Sequence, residues 1–146
     1  MQGSRALIYD DLDRHIAEAG SIEKAAVPLG MYLAWCVNLQ LVGERLHVES
    51  ERALLQVRYR EMRGSDLLVS ACGGTFRSED LNEAGRAFTD HYYASYLDDF
   101  RAVFGPAPYE VKDDWLHYDK IAPLLTERYM NRRQGGGGSW WKFWKS

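Results

Sequence analysis

Asp10, Asp11, Asp13 and His15 form the densest run of metal-capable side chains in the sequence. Carboxylates beside an imidazole can hold a divalent cation or pass a proton as an acid–base pair. The spacing rules out a calcium loop. Counted from Asp11, such a loop needs glycine at its sixth position and a bidentate acid at its twelfth, where Ile16 and Ile22 stand. A plain structural role also fits: acids at a helix start, with the histidine bonding one of them. The weak metal candidates are therefore Asp10, Asp11 and His15. Asp90-His91 and Asp113-Asp114-x-x-His117 repeat the pairing of acid and histidine. On a helix His117 lies within reach of Asp113, four residues earlier, and this reads as a salt bridge or cap before it reads as a dyad. Cys36 stands in the most apolar stretch and Cys72 closes a short helical pattern, where burial would raise a thiol's pKa and leave it inert. The sequence has no His-Glu-x-x-His, Walker phosphate loop, Gly-x-Ser-x-Gly elbow or Cys-x-x-Cys. It assigns no catalytic residue and calls for no cofactor.

The second candidate surface is the C-terminal end, QGGGGSWWKFWKS. A glycine linker over 134–139 leads to Trp140, Trp141, Phe143 and Trp144, interleaved with Lys142 and Lys145. Aromatics with lysines suit a membrane–water interface, an acidic protein groove or stacked bases. Burying four aromatics yields about 6–12 kcal/mol. Ordering the backbone of seven residues costs about 7–14 kcal/mol. Alone, such a tail binds weakly, so it needs docking on its own domain, a dimer, or a second contact. GGGGS is also a familiar engineered linker, although WWKFWKS matches no purification handle. The expected partner-binding residues are Trp140, Trp141, Lys142, Phe143 and Trp144, joined by Tyr93, which falls off its helix's apolar stripe and suits an interface.

The elements that must position these groups read as helical almost throughout. Ser21 caps a helix to about Val42, with Pro28 kinking it or starting its main part and Gly43 as the stop. Ser50 opens Glu51–Met62, and Ser65 starts a short helix through Cys72 before Gly73-Gly74. Ser78 caps a long segment, Glu79–Phe104, with Leu81, Ala84, Phe88, Tyr92, Tyr96, Phe100 and Val103 on one face. A final helix runs from Trp115 to Tyr129, and Pro123 should kink or split it after Ala122. Short strands are conceivable only near Arg5–Tyr9 or Tyr109–Lys112. The expectation is an all-α single domain of about five helices over 1–133, with the linker and tail over 134–146.

Composition narrows the function classes. The chain has 146 residues, enough for one domain with a real core, and two cysteines, too few for a disulfide scaffold or a Cys-rich zinc module. The net charge of -3 divides into -5 for residues 1–133 and +2 for the tail. An acidic body disfavours phosphate backbones, so no nucleic-acid partner is expected. The N-terminus lacks the apolar stretch of a signal peptide. Residues 25–43 carry no charge, yet Pro28, Gly30, Asn38 and Gln40 make this a buried core helix rather than a membrane span. The expected location is cytoplasmic.

Several local signatures are familiar together. They are Tyr9-Asp10-Asp11 followed by His15, Gly30-Met31-Tyr32-Leu33-Ala34-Trp35, Ser78-Glu79-Asp80-Leu81-Asn82-Glu83 leading to Phe88 and Tyr92-Tyr93, and Trp115 with Tyr118-Asp119. In this order, over about residues 9–130, they resemble an uncharacterised family of small bacterial proteins, a domain of unknown function. The resemblance implies a bacterial origin and a compact fold, and no activity. The leading expectation is a non-enzymatic protein-binding module, an immunity- or antitoxin-type inhibitor or adaptor whose partner is a toxin or secretion-system component. The alternatives are a small metal-dependent enzyme using Asp10, Asp11 and His15, a peripheral membrane protein anchored by the tail, and a homodimer joined through it.

Overall fold

The computed structural model describes residues 7–136. It is predominantly helical, with one small antiparallel sheet. Strand β1, Ile8–Asp11, pairs with β2, Thr75–Arg77, in the register Ile8↔Arg77, Asp10↔Phe76 and Asp11↔Thr75. The register slips between Ile8 and Asp10, and such irregularities re-aim a side chain. Here Asp10 turns inward and is buried. The first expected strand therefore exists, shifted toward the acids, whereas Tyr109 lies in a 3-10 turn, Pro108–Glu110.

Helix α1, Asp13–Ala19, ends at Gly20 with φ 93°, a left-handed turn that suits glycine. Ser21 then caps α2, Ile22–Asn38, its side chain accepting from the Lys24 N–H at 3.2 Å. Every residue from Ala25 to Val37 is buried, so α2 is the axle of the domain. Pro28 lies inside it without ending it, and the Tyr96 hydroxyl donates to the Pro28 carbonyl at 2.6 Å. The helix stops at Asn38, before the expected Gly43. Gln40 takes φ 59°, and Gly43 instead precedes α3, Glu44–Glu49.

Helix α4, Glu51–Arg58, is shorter than its pattern because Arg60 turns left-handed at φ 64°. Helix α5, Gly64–Cys72, lies directly on α2. A Cβ on Gly64 would sit 1.9 Å from the Gly30 carbonyl oxygen, and one on Gly30 would sit 2.5 Å from the Ser65 nitrogen. The two backbones touch, and only glycine permits this at either position.

The expected long helix is four pieces. Ser78–Asp80 forms a 3-10 turn, α6 spans Glu83–Tyr92, and a second 3-10 turn at Tyr93–Ser95 leads to α7, Tyr96–Phe104. Asn82 is the actual cap of α6, its Oδ1 accepting from the Gly85 N–H at 2.8 Å. Phe88, Tyr92, Tyr96 and Phe100 still follow one another at four-residue spacing and are buried, whereas Ala84 is exposed. They join Tyr32, Trp35 and Tyr129 in an aromatic core with ring centroids 4.9–6.4 Å apart. Helix α8, Trp115–Gly136, continues through Pro123 without a split. Trp35 Nε1 donates to Thr126 Oγ1 at 3.0 Å and fastens α8 to the far half of α2.

Among the described residues no helix is long and apolar enough to cross a membrane. Cys36 and Cys72 are both free and buried. Burial drives the Cys36 thiol well up and pushes Cys72 to about 12, so both stay protonated and unreactive.

Candidate functional site

Two regions concentrate the polar chemistry, and Tyr109 stands between them. The first is a closed network. The Asp10 carboxylate accepts from the Asp11 N–H at 2.9 Å, from the Tyr93 hydroxyl at 2.5 Å and from His15 Nε2 at 2.7 Å. His15 Nδ1 meets the Tyr109 hydroxyl at 2.6 Å. The groups come from β1, α1, the turn at Tyr93–Ser95 and the turn at Pro108–Glu110, so four separate elements are tied at one point. The His15 pKa is raised, first by its bond to Asp10, with burial working against that rise. Tyr93 and Tyr109 are both held protonated by burial, with the Asp10 charge adding to it.

Asp10 and His15, paired in the sequence cluster, do meet. The Asp11 carboxylate does not join them: it accepts from the Arg14 N–H at 3.0 Å and faces the Arg14 guanidinium at 3.5 Å. Both ring nitrogens of His15 already have partners. Among the described residues no three His, Cys, Asp or Glu side chains are grouped to hold a metal. Tyr93 is half-buried rather than exposed. Its ring packs on Tyr32 at 5.1 Å and Tyr96 at 5.7 Å, and its hydroxyl is given to Asp10.

The second region is an open groove. A cleft of about 620 Å³ lies between the start of α2, helix α5 and the chain around Tyr109–Asp113. A smaller one of about 280 Å³ adjoins it along α1 and Gly73–Thr75. Ile22 and Val69 line both, and they are 51% and 49% exposed, an apolar ridge left in water. Ala26, Val27, Met62 and Val111 add apolar wall, with Leu12 and Ile16 at the other end. Around it stand six carboxylates, Asp11, Asp13, Glu23, Asp66, Glu110 and Asp113, against two cations, Lys24 and Arg63. Both cations are engaged, Lys24 with Glu110 at 3.2 Å and Arg63 with Asp66 at 3.1 Å. The groove is apolar at its floor and negative at its rim.

Asp113 belongs to this groove and not to a pair with His117. It accepts from the Ser65 hydroxyl at 2.5 Å and faces Arg63 at 3.5 Å, and burial raises its pKa. His117 bonds Asp114 instead, Nδ1 to Oδ1 at 2.7 Å. At Asp90 it is the Tyr9 hydroxyl that donates, at 2.6 Å.

A family model for a domain of unknown function, DUF7832, matches residues 8–111. The chain belongs to this family. The match contains Asp10, His15, Ile22, Val69, Tyr93 and Tyr109, and leaves out Asp113 and α8. The closed network and most of the groove are thus built by the DUF7832 domain itself. Neither a curated protein nor a solved structure matches the chain.

The residues Trp140, Trp141, Lys142, Phe143 and Trp144 lie outside the described residues. Sequence reasoning missed Tyr109, which meets His15 across 94 positions, and Ile22 and Val69. Val69 carried a faint signal, a β-branched apolar residue next to the Leu67-Leu68 core pair with no obvious core of its own.

Proposed function

We propose that the chain is a bacterial, cytoplasmic protein-binding module of the inhibitor or adaptor kind, an immunity- or antitoxin-type protein, that holds a basic and apolar segment of its partner in the groove over Ile22 and Val69. One observation carries the reading: exposed apolar residues in a concave surface whose rim has six carboxylates and two already paired cations. Large apolar side chains are left in a concave, charged-rimmed surface where something covers them. The acidic rim selects a cationic partner and speeds its encounter more than it adds affinity. The closed network supports binding rather than turnover in this reading, because His15 and Asp10 spend their capacity on each other and on two tyrosines.

The test is capture of a partner from the source bacterium, with the unaltered chain and its Val69→Lys variant run side by side. A protein retained by the first and lost by the second supports the reading. Identical captures by both, or a retained protein that is acidic at its contact surface, count against it.

A further inference from the structure

We infer that the groove over Ile22 and Val69 receives the C-terminal Trp140–Lys145 segment of a second copy of the chain, so that two copies exchange tails and close each other's partner-binding grooves. The inference rests on the reading of that groove as a protein-binding surface and names one occupant for it.

Chemistry makes the match. The segment WWKFWK offers four aromatic rings and two lysines with no acid, and the groove offers an exposed apolar ridge beneath a rim of unbalanced carboxylates. Among the described residues Glu23 and Asp13 make no ion pair, so two carboxylates at that rim stand ready for Lys142 and Lys145. A cleft of about 620 Å³ is of the size that encloses several rings.

Reach decides between the chain's own tail and another's. Helix α8 starts two residues beyond Asp113, at one wall of the cleft, and its 22 residues run about 33 Å. It crosses the far half of α2, where Thr126 meets Trp35 and Tyr118 meets Asn38, while Ile22 is the opposite end of that helix. From Gly136, four residues to Trp140 extend at most about 14 Å and eight to Trp144 about 29 Å. Trp140, at the tail's base, cannot come back along the length of α8 to the cleft wall at Asp113, so the chain's own tail cannot lay all four rings there. A neighbouring copy has no such constraint. Exchange between two copies also makes two contacts at once, which raises the effective concentration of the second and offsets the weakness of a single tail. The resulting pair is symmetric and closed, with each groove filled by the other's tail.

The experiment is sedimentation of three full-length proteins: the unaltered chain, a tail variant with Trp140, Trp141, Phe143 and Trp144 all changed to Ala, and Val69→Lys. Tryptophan emission is followed in parallel, since three of the five tryptophans lie in the tail. The unaltered chain should be dimeric with blue-shifted emission, and both variants monomeric, with dissociation constants weakened about tenfold or more. The Val69→Lys chain keeps its tail tryptophans and should show them in water. The synthetic peptide SWWKFWKS should bind the tail variant and not the tail variant that also carries Val69→Lys. A monomeric unaltered chain, a dimer that survives either variant, or a tail that instead pellets with anionic vesicles overturns the inference. The groove reading fails separately: if the tail variant and Val69→Lys capture the same bacterial partner, the groove is not the docking surface at all.

Discussion

Asp10 and Asp113 are both carboxylates drawn away from bulk water, one reaching Tyr109 through His15 and the other lining the same cleft as Tyr109, and their surroundings differ in kind. Asp10 accepts from a backbone N–H, a phenol and an imidazole, and so its site is complete. Asp113 has one serine hydroxyl and an arginine at 3.5 Å, and burial raises its pKa. A complete polar network fixes four chain segments in one arrangement, because any other arrangement would strand a buried donor or acceptor. Asp113 has fewer partners and lies beside Ile22 and Val69, which stay about half exposed. The difference separates a network that ties the fold together from a groove that stays open to water.

The contact that holds both regions in place is the α2–α5 seam. Gly64→Ala should have the largest effect of any substitution considered, since its Cβ would lie 1.9 Å from the Gly30 carbonyl oxygen. Backbone must move, and α5 carries Val69 and Ser65 with it. The expected loss is about 3 kcal/mol or more, read by urea denaturation. A loss below about 1 kcal/mol would mean that the two backbones can part at this seam with little cost.

Asp10→Ala should come next, at about 2–4 kcal/mol, because it strands the Tyr93 hydroxyl, the His15 ring and the Asp11 N–H together. The pH dependence sharpens this. The folded His15 pKa is raised above its ordinary 6.5, chiefly by Asp10. Its contribution is therefore fully present below pH 6.5 and is lost as pH rises through the raised folded value. Stability measured from pH 5.5 to 8 should fall across that window in the unaltered chain and lose this component in His15→Gln. Tyr109→Phe removes the oxygen that faces Nδ1 and should cost about 1 kcal/mol, more at the acid end, where the ring is charged.

Much of the domain is legible in its sequence. The uncharged run over 25–43 announced a helix buried on most sides, and Ser21 is its cap as expected. The four-residue spacing of Phe88, Tyr92, Tyr96 and Phe100 announced the aromatic core. The break at Tyr93–Ser95 was not legible, since nothing in Tyr-Ala-Ser interrupts a helical pattern and the turn is justified by Asp10, 83 residues earlier in the chain. Pro123 does not split its helix as its pattern allowed, because packing along α8 holds a helix that propensity alone would break, whereas Pro28 lies inside the one helix expected from Ser21. Of the sites, the Asp10–His15 pair could be read from its local spacing. Tyr109 and the groove could not, because they arise where distant segments converge.

Asp113→Asn should have a small effect with a definite sign. The folded pKa is raised above the ordinary 3.8 by burial, so the acid stabilises the fold below pH 3.8 and that contribution disappears as pH rises through the folded value. The amide keeps an oxygen for Ser65 and has no charge to bury. At pH 7 the variant should match or slightly exceed the unaltered chain, within about 1 kcal/mol, and the acid-side slope should flatten. A clear loss at pH 7 would show that the charge itself is needed, and would move Asp113 into the class of Asp10.

Val69→Lys should disturb the fold least and binding most, and that contrast is the sharpest division between the two regions. Val69 is about half exposed on α5, and lysine is the better helix former, so its stability should stay within about 0.5 kcal/mol of the original. The same change places a cation on the apolar ridge, where the proposed basic segment would land, and sets like charge against like. Val69→Ile keeps the shape and should keep binding, so the pair of variants separates loss of the surface from loss of the fold. Thermal melting beside a binding isotherm checks both at once. If binding and stability fall together in Val69→Lys, the residue is structural and the open groove is only a packing defect. If neither changes, the partner lands elsewhere and the acidic rim is merely solvated surface. Only a large loss of binding at unchanged stability leaves the groove as the part of the domain that is built for another molecule.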